Sequence, residues 1–190
     1  GVFNVITSEN PKQVGDQLVG DPRVDMVSFT GSTAVGKHIM ARAAETVKKV
    51  FLELGGKSAN IILDDADLGS SLLSALAVCF HAGQGCALNT RLLIPREKQA
   101  EVEELLKTYF GFITYGDPSS DSEIMGPQIN ARQRQRVLAY IDRGREEGAR
   151  VLLGGGKPEN LEKGYYVQPT VFVDVSNDMT IARDEIFGEL

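Results

Sequence analysis

The fold class is decided by Val24-Asp25-Met26-Val27-Ser28-Phe29-Thr30-Gly31-Ser32-Thr33-Ala34-Val35-Gly36-Lys37-His38. Val24 to Phe29 reads as a buried β-strand, rich in the side chains that suit a covered, pleated surface. Thr30-Gly31-Ser32-Thr33 is turn and cap chemistry, and a helix is expected from there to about Ala44. Lys49 to Leu54 reads as the next strand, stopped by Gly55-Gly56. Short strands alternating with helices are the signature of an α/β fold. The expectation is a mostly parallel sheet with flanking helices.

The alternation continues along the chain. Asn60 to Leu63 reads as a strand, and Asp64-Asp65-Ala66-Asp67 offers cap side chains for the helix after it. That helix places Leu68, Leu72, Leu76 and Cys79 on one stripe and stops at Gly83. Cys79 is accordingly read as packing, and His81 as a cation at a helix end. Arg91 to Pro95 is expected to be a strand, Glu97 to Tyr109 a helix, and Tyr115 to Ser120 a turn. Arg132-Gln133-Arg134-Gln135-Arg136 opens a long helix with Val137, Leu138 and Ile141 facing inward. Its basic run reads as a solvated face, not an RNA contact. Val151 to Leu153 is a strand before the Gly154-Gly155-Gly156-Lys157-Pro158 loop. Tyr165 to Val173 reads as a last strand pair, with Pro169 confining one member to an edge or bulge.

Composition narrows the function classes. Against 20 Lys and Arg stand 26 Asp and Glu, for a net charge of -6. That balance argues against a nucleic-acid partner, because phosphates reward positive surface. The longest apolar stretch, Leu72 to Phe80, is too short for a bilayer, so no membrane association is expected. Gly1-Val2-Phe3-Asn4 has no basic leader and no initiator Met, and reads as an unnatural start. The two cysteines cannot build a disulfide framework and suit a reducing cytoplasm. No ligand spacing for a metal is present.

Three segments carry candidate chemistry. The turn before the helix at Gly31 and Ser32 presents free N–H groups, which suit phosphate oxygens. Gly31, Gly36 and Lys37 approach the P-loop pattern, but His38 stands where a hydroxyl residue would hold magnesium. A plain strand–helix turn remains an equal reading. Glu53, in Leu52-Glu53-Leu54-Gly55-Gly56-Lys57-Ser58, is a carboxylate between apolar residues at a strand end. Burial would raise its pKa and suit it to proton transfer; the alternative is an exposed Glu paired with Lys57. Cys86, in Gly83-Gln84-Gly85-Cys86-Ala87-Leu88-Asn89-Thr90-Arg91, sits where glycines admit close backbone approach and N–H groups could stabilise a thiolate or an oxyanion.

Taken in order, Phe29-Thr30-Gly31-Ser32-Thr33-x-x-Gly36, Leu52-Glu53-Leu54-Gly55-Gly56-Lys57, Gly83-Gln84-Gly85-Cys86 and Glu185-Ile186-Phe187-Gly188 resemble the signature series of the aldehyde dehydrogenase superfamily. Met125-Gly126-Pro127 and Gly164-Tyr165-Tyr166-Val167-Gln168-Pro169-Thr170 add to the likeness, which runs over essentially the whole chain. The resemblance implies Cys86 as nucleophile and Glu53 as general base. It also implies Gly31, Ser32, Thr33, Gly36, Leu54, Glu185 and Phe187 as contacts for NAD or NADP. The implied reaction oxidises a small-molecule aldehyde to a carboxylic acid through a cysteine thiohemiacetal and thioester. Residues 1–54 would be the last part of a dinucleotide-binding domain, and 55–190 an incomplete catalytic α/β domain.

Glu189 departs from the family's usual Glu-Ile-Phe-Gly-Pro. Judged against that family, the chain reads as truncated at both ends. It is therefore expected to be inactive alone and prone to self-association, with a parent that is a homo-oligomer. Two rival readings stand beside this one: a P-loop-like nucleotide-binding protein, and a non-catalytic fold or assembly module.

Overall fold

The computed structural model describes residues 1–190. The chain folds as two compact units, Gly1–Gly55 and Gly56–Leu190.

The first unit is a strand–helix–strand crossover with one extra helix. That helix, α1 (Pro11–Gly20), has no counterpart in the sequence reading; Asn10 caps it by accepting from the Gln13 N–H. The strands β1 (Met26–Gly31) and β2 (Lys49–Leu54) run parallel, from Met26 beside Lys49 to Gly31 beside Leu54. β1 starts two residues later than expected: the Val24 N–H turns back onto the Asp21 carbonyl, and the Lys48 ammonium donates to the Asp21 and Val24 carbonyls at 2.6 and 2.8 Å. Between the strands lies α2 (Thr33–Ala43), capped by the Ser32 hydroxyl on the Val35 N–H and closed by a 3₁₀ turn over Ala44–Thr46. Val19, Ile39 and Ala43 form the core with Val27, Phe29, Val50 and Leu52. Alternation in β2 turns Leu52 towards this core and Phe51 and Glu53 away from it.

The second unit holds two further ladders. β3 (Ala59–Ile61) pairs in parallel with β4 (Arg91–Leu93), whereas β5 (Arg150–Leu153) pairs antiparallel with β6 (Val171–Val173). The α/β class holds, with parallel pairing in two of the three two-stranded sheets. α4 (Gln99–Phe110) follows a 3₁₀ turn, and α5 (Ala131–Glu146) is capped by Asn130 on the Gln133 N–H. Val137 and Ile141 of α5 are buried, with Leu138 packed at the margin, as the helical spacing predicts. The short α6 (Thr180–Arg183) is anchored by Glu147, whose carboxylate accepts from the Thr180 N–H at 2.6 Å and from its hydroxyl at 2.5 Å.

Three sequence expectations fail here. The single helix over residues 68–83 is instead α3 (Leu68–Ser71) followed by 3₁₀ structure over Leu72–Gly83. Ser74 helps set this tighter winding: its hydroxyl donates to the Ser71 carbonyl at 2.6 Å and accepts from Asn60 at 2.7 Å. The apolar stripe survives, with Leu68, Leu72 and Cys79 buried beside Val102, Leu106 and Met125. The helix breaks at Phe80, and His81 and Ala82 take left-handed φ of 55° and 53°, so His81 is not a helix-end cation. The Tyr165–Val173 strand pair reduces to β6, because the backbone before it bonds to loops. The Tyr165 carbonyl accepts from the Gln128 N–H, and the Gln168 N–H donates to Gly156.

No helix is long and apolar enough to cross a membrane.

Gly83 is the tightest joint in this unit. Its φ is +67°, and a Cβ there would lie 2.0 Å from the Gly188 carbonyl carbon. Gly83→Ala is expected to cost at least about 3 kcal/mol through strain and overpacking. Urea unfolding checks this; an unchanged midpoint would contradict the close approach.

Candidate active site

The proposed site residues divide between the units. Gly31, Ser32, Thr33, Gly36, Glu53 and Leu54 belong to the first; Cys86, Glu185 and Phe187 belong to the second.

In the first unit, β1 runs straight into the turn that starts α2. Ser32 caps one N–H of the first helical turn, leaving those of Thr33 and Ala34 without an intrahelical acceptor. Gly31, Ser32 and Thr33 are all exposed. A Cβ on Gly36 would lie 2.6 Å from Leu54 Cδ2, so glycine lets α2 lie directly on the end of β2. An open helix N-terminus of this kind fits the pyrophosphate of a dinucleotide. The same register brings Glu53 beside Thr30 and Leu54 beside Gly31. His38 faces Asp16 at 2.6 Å, tying α2 to α1. Glu53 is exposed, which decides between the two readings of its surroundings: the pleat sends it to the uncovered face of the strand pair.

In the second unit the two cysteines differ sharply. Cys79 is fully buried, and burial, reinforced by the charge of Glu189, pushes its thiol up to about 12. Cys86 is exposed, in a turn closed by the Leu88 N–H on the Gly85 carbonyl. The stem of that turn is held by two glutamines. Gln84 accepts from the Ile129 N–H at 2.9 Å, and Gln128 donates to the Ala82 carbonyl at 2.8 Å.

The Glu185–Phe187 segment is held from α5. Arg136 donates to the Glu185 carbonyl at 2.8 Å and to the Ile186 carbonyl at 3.3 Å. Gln133 donates to the Phe187 carbonyl at 2.7 Å, and the Tyr140 hydroxyl donates to Asp184 at 2.9 Å. Phe187 is left partly exposed with a left-handed φ of 61°. The basic run is therefore not simply a solvated face, since Arg134 also donates to the Gly164 carbonyl. The three-residue spacing of Gln133 and Arg136 puts them on one helix face, a signal visible in sequence. Their acceptors about fifty residues away were not.

Lys57 adds a titratable group near this segment. Burial first, then the Arg91 charge, lowers its ammonium to about 8, while Asp184 and Glu185 act in the opposite sense. Arg91 also fixes the Lys57 backbone, donating to its carbonyl at 2.9 Å. No group of three or more His, Cys, Asp or Glu side chains is arranged to hold a metal ion.

Arg136→Ala would remove two charge-assisted hydrogen bonds and the guanidinium stacked 5.0 Å from the Tyr140 ring. A loss of about 1.5–3 kcal/mol is expected, with faster amide exchange confined to residues near 184–188. Hydrogen-exchange mass spectrometry checks this; uniform exchange across the chain would contradict a local clamp.

Comparison with known proteins bears on these same residues. The model of the aldehyde dehydrogenase family matches residues 1–190. Betaine aldehyde dehydrogenase of Rhizobium etli is 45% identical over 190 residues, covering 99% of this chain and 39% of that protein. A crystal structure of an aldehyde dehydrogenase C mutant from Pseudomonas syringae, with NAD+ and octanal, superposes with a TM-score of 0.95. It is 42% identical, over 99% of this chain and 39% of that one. An aldehyde dehydrogenase of Mycobacterium tuberculosis with NAD+ gives a TM-score of 0.90 at 47% identity, over 93% of this chain and 37% of that one. The chain thus spans about 40% of the length of the curated relatives it matches. Matched from its first residue to its last, the chain belongs to the aldehyde dehydrogenase family.

Proposed function

We propose that the protein carrying these residues oxidises an aldehyde to a carboxylic acid with NAD or NADP, using Cys86 as nucleophile and Glu53 as general base. The observation that carries the reading is the contrast between the cysteines. Cys86 stands exposed on a turn with an anchored stem, whereas Cys79 is sealed in the core. Residues 1–54 serve as part of a dinucleotide-binding domain and 55–190 as part of the catalytic domain. Gly31, Ser32, Thr33, Gly36 and Leu54 shape the turn for the pyrophosphate. Glu185 binds the nicotinamide ribose, and Phe187 lies beside the nicotinamide. When bound, the dinucleotide supplies the hydride acceptor.

The chain's own groups do the rest. The Cys86 thiolate adds to the carbonyl carbon, and N–H groups at the turn are the natural donors to the oxyanion. Once the thioester has formed on Cys86, Glu53 takes a proton from water as it attacks the acyl carbon. The acid leaves and the thiolate is restored. An exposed carboxylate can reach solvent water directly, which suits Glu53 to that step. Two free thiols, one of them exposed, suit a reducing cytoplasm. Assembly of the parent into a homo-oligomer belongs to the same reading, as the family resemblance implies.

Cys86→Ala is expected to abolish aldehyde oxidation, while Cys79→Ala mainly lowers stability. Steady-state assay beside thermal unfolding checks the pair; appreciable turnover in Cys86→Ala would remove the assignment. Glu53→Gln is expected to slow steady-state turnover by roughly 10²–10⁴ while the first turnover keeps its rate. Rapid-quench measurement separates the two, and a slowed first turnover with normal thioester hydrolysis would give Glu53 another role.

A further inference from the structure

Gln128 and Glu189 form a buried pair with an unusual deficit. Gln128 is 1% exposed and Glu189 is fully buried. The Gln128 amide nitrogen donates to the Ala82 carbonyl at 2.8 Å and to Glu189 Oε2 at 2.7 Å, which uses both its hydrogens. Gln128 Oε1 and Glu189 Oε1 are both buried and have no partner. Two orphaned acceptors on side chains already joined by one hydrogen bond is a costly arrangement. One proton removes both deficits. Placed on Glu189 Oε1, it makes a hydroxyl that can donate to Gln128 Oε1. The amide N–H to Oε2 and the acid O–H to the amide oxygen then form a closed ring.

We infer that Gln128 and Glu189 are positioning residues for the Cys86 turn: a neutral Glu189 closes a cyclic acid–amide pair with Gln128, and that pair fixes the Ala82 carbonyl at the turn's stem. The proton comes from solvent, forming the O–H bond on Oε1 and nothing else. The backbone around the pair is equally fixed. The Glu189 carbonyl accepts from the Thr170 N–H at 3.0 Å, and Gly83 and Gly188 are in close contact. A shift of Glu189 is therefore felt at residues 82–83, three to four positions before Cys86.

The surroundings favour the neutral form. Burial raises the Glu189 carboxyl from its usual 4.5 to about 7, opposed by its own N–H and by the Gln128 amide. The titratable group facing it from the 3₁₀ segment is the Cys79 thiol, itself neutral below about 12. The backbone groups bonded to the pair belong to Ala82 and Thr170, neither of them charged. Because the folded value is raised, the pair's contribution to stability is complete below about 4.5 and is lost as pH rises through about 7. Above that midpoint the clasp holds only by Nε2–H to Oε2, and the turn stem loosens. The consequence for catalysis rests on Cys86 as nucleophile; the pair itself does not.

The test uses the whole protein that carries these residues and its Glu189→Gln variant, whose amide can form the same ring at every pH. Carbon-13 NMR of the side-chain carboxyls is expected to show one Glu titrating near 7 and absent from the variant. Titration of Glu189 near the ordinary value of about 4.3 would overturn the inference. Amide exchange at residues 83–86, referenced to the Asp117–Ser120 turn of the same molecule, is expected to accelerate about threefold or more above the midpoint in the wild type. In Glu189→Gln the referenced rate stays flat. A flat referenced rate in the wild type would also overturn it, and this internal reference decides the matter even if the variant fails to fold. Full activity in Cys86→Ala would remove the nucleophile reading while leaving both readouts intact.

Discussion

The close approach of two backbone segments at Gly83 and Gly188 is the constraint on which the second unit depends. A side chain at Gly83 would drive into Gly188, and one at Gly188 would lie 2.4 Å from Val137 Cγ2. Three elements distant in sequence therefore meet without a side chain between two of them: the stem of the Cys86 turn, the Glu185–Glu189 segment and α5. Everything proposed for this unit follows from that stack. α5 can hold the Glu185–Phe187 carbonyls because Gly188 lets the segment lie against it. Gln128 can reach both Ala82 and Glu189 because the two segments touch.

In the first unit the equivalent constraint is the seat of α2 on Leu54 at Gly36. It places the open helix start beside the end of β2, so the turn suited to a phosphate and the Glu53 carboxylate share one end of the ladder. The pleat then decides exposure. Leu52 faces the helix, and Glu53 must face away.

Much of this was legible in the residues. β2 was read with its observed ends, and the Ser32 cap, the Asp67 cap and the inward face of α5 follow from local chemistry that a sequence displays directly. What escaped depended on partners far along the chain. β1 starts late where the Val24 N–H turns back onto Asp21, and Tyr165–Pro169 is not a strand because its backbone bonds to Gly156 and Gln128. The apolar neighbours of Glu53 left burial and exposure both open, and alternation within a strand decides it by sending those neighbours to the opposite face. The helix break at Phe80–Ala82 carries no glycine or proline, so nothing local announced it. The contact of Glu189 with Gln128 was invisible for the same reason, since a lone carboxylate near Gly188 says nothing of a glutamine 61 positions away.

In the proposed chemistry the exposed cysteine on the anchored turn forms the covalent bond to substrate and the buried one does not. Reaction of the protein with an aldehyde and NAD+, rapid acid quench and peptide mass spectrometry tests it most directly. An acyl adduct on the peptide containing Cys86 and an unmodified Cys79 are expected. An adduct on Cys79, or acid formed with Cys86 never acylated at any time point, would contradict it.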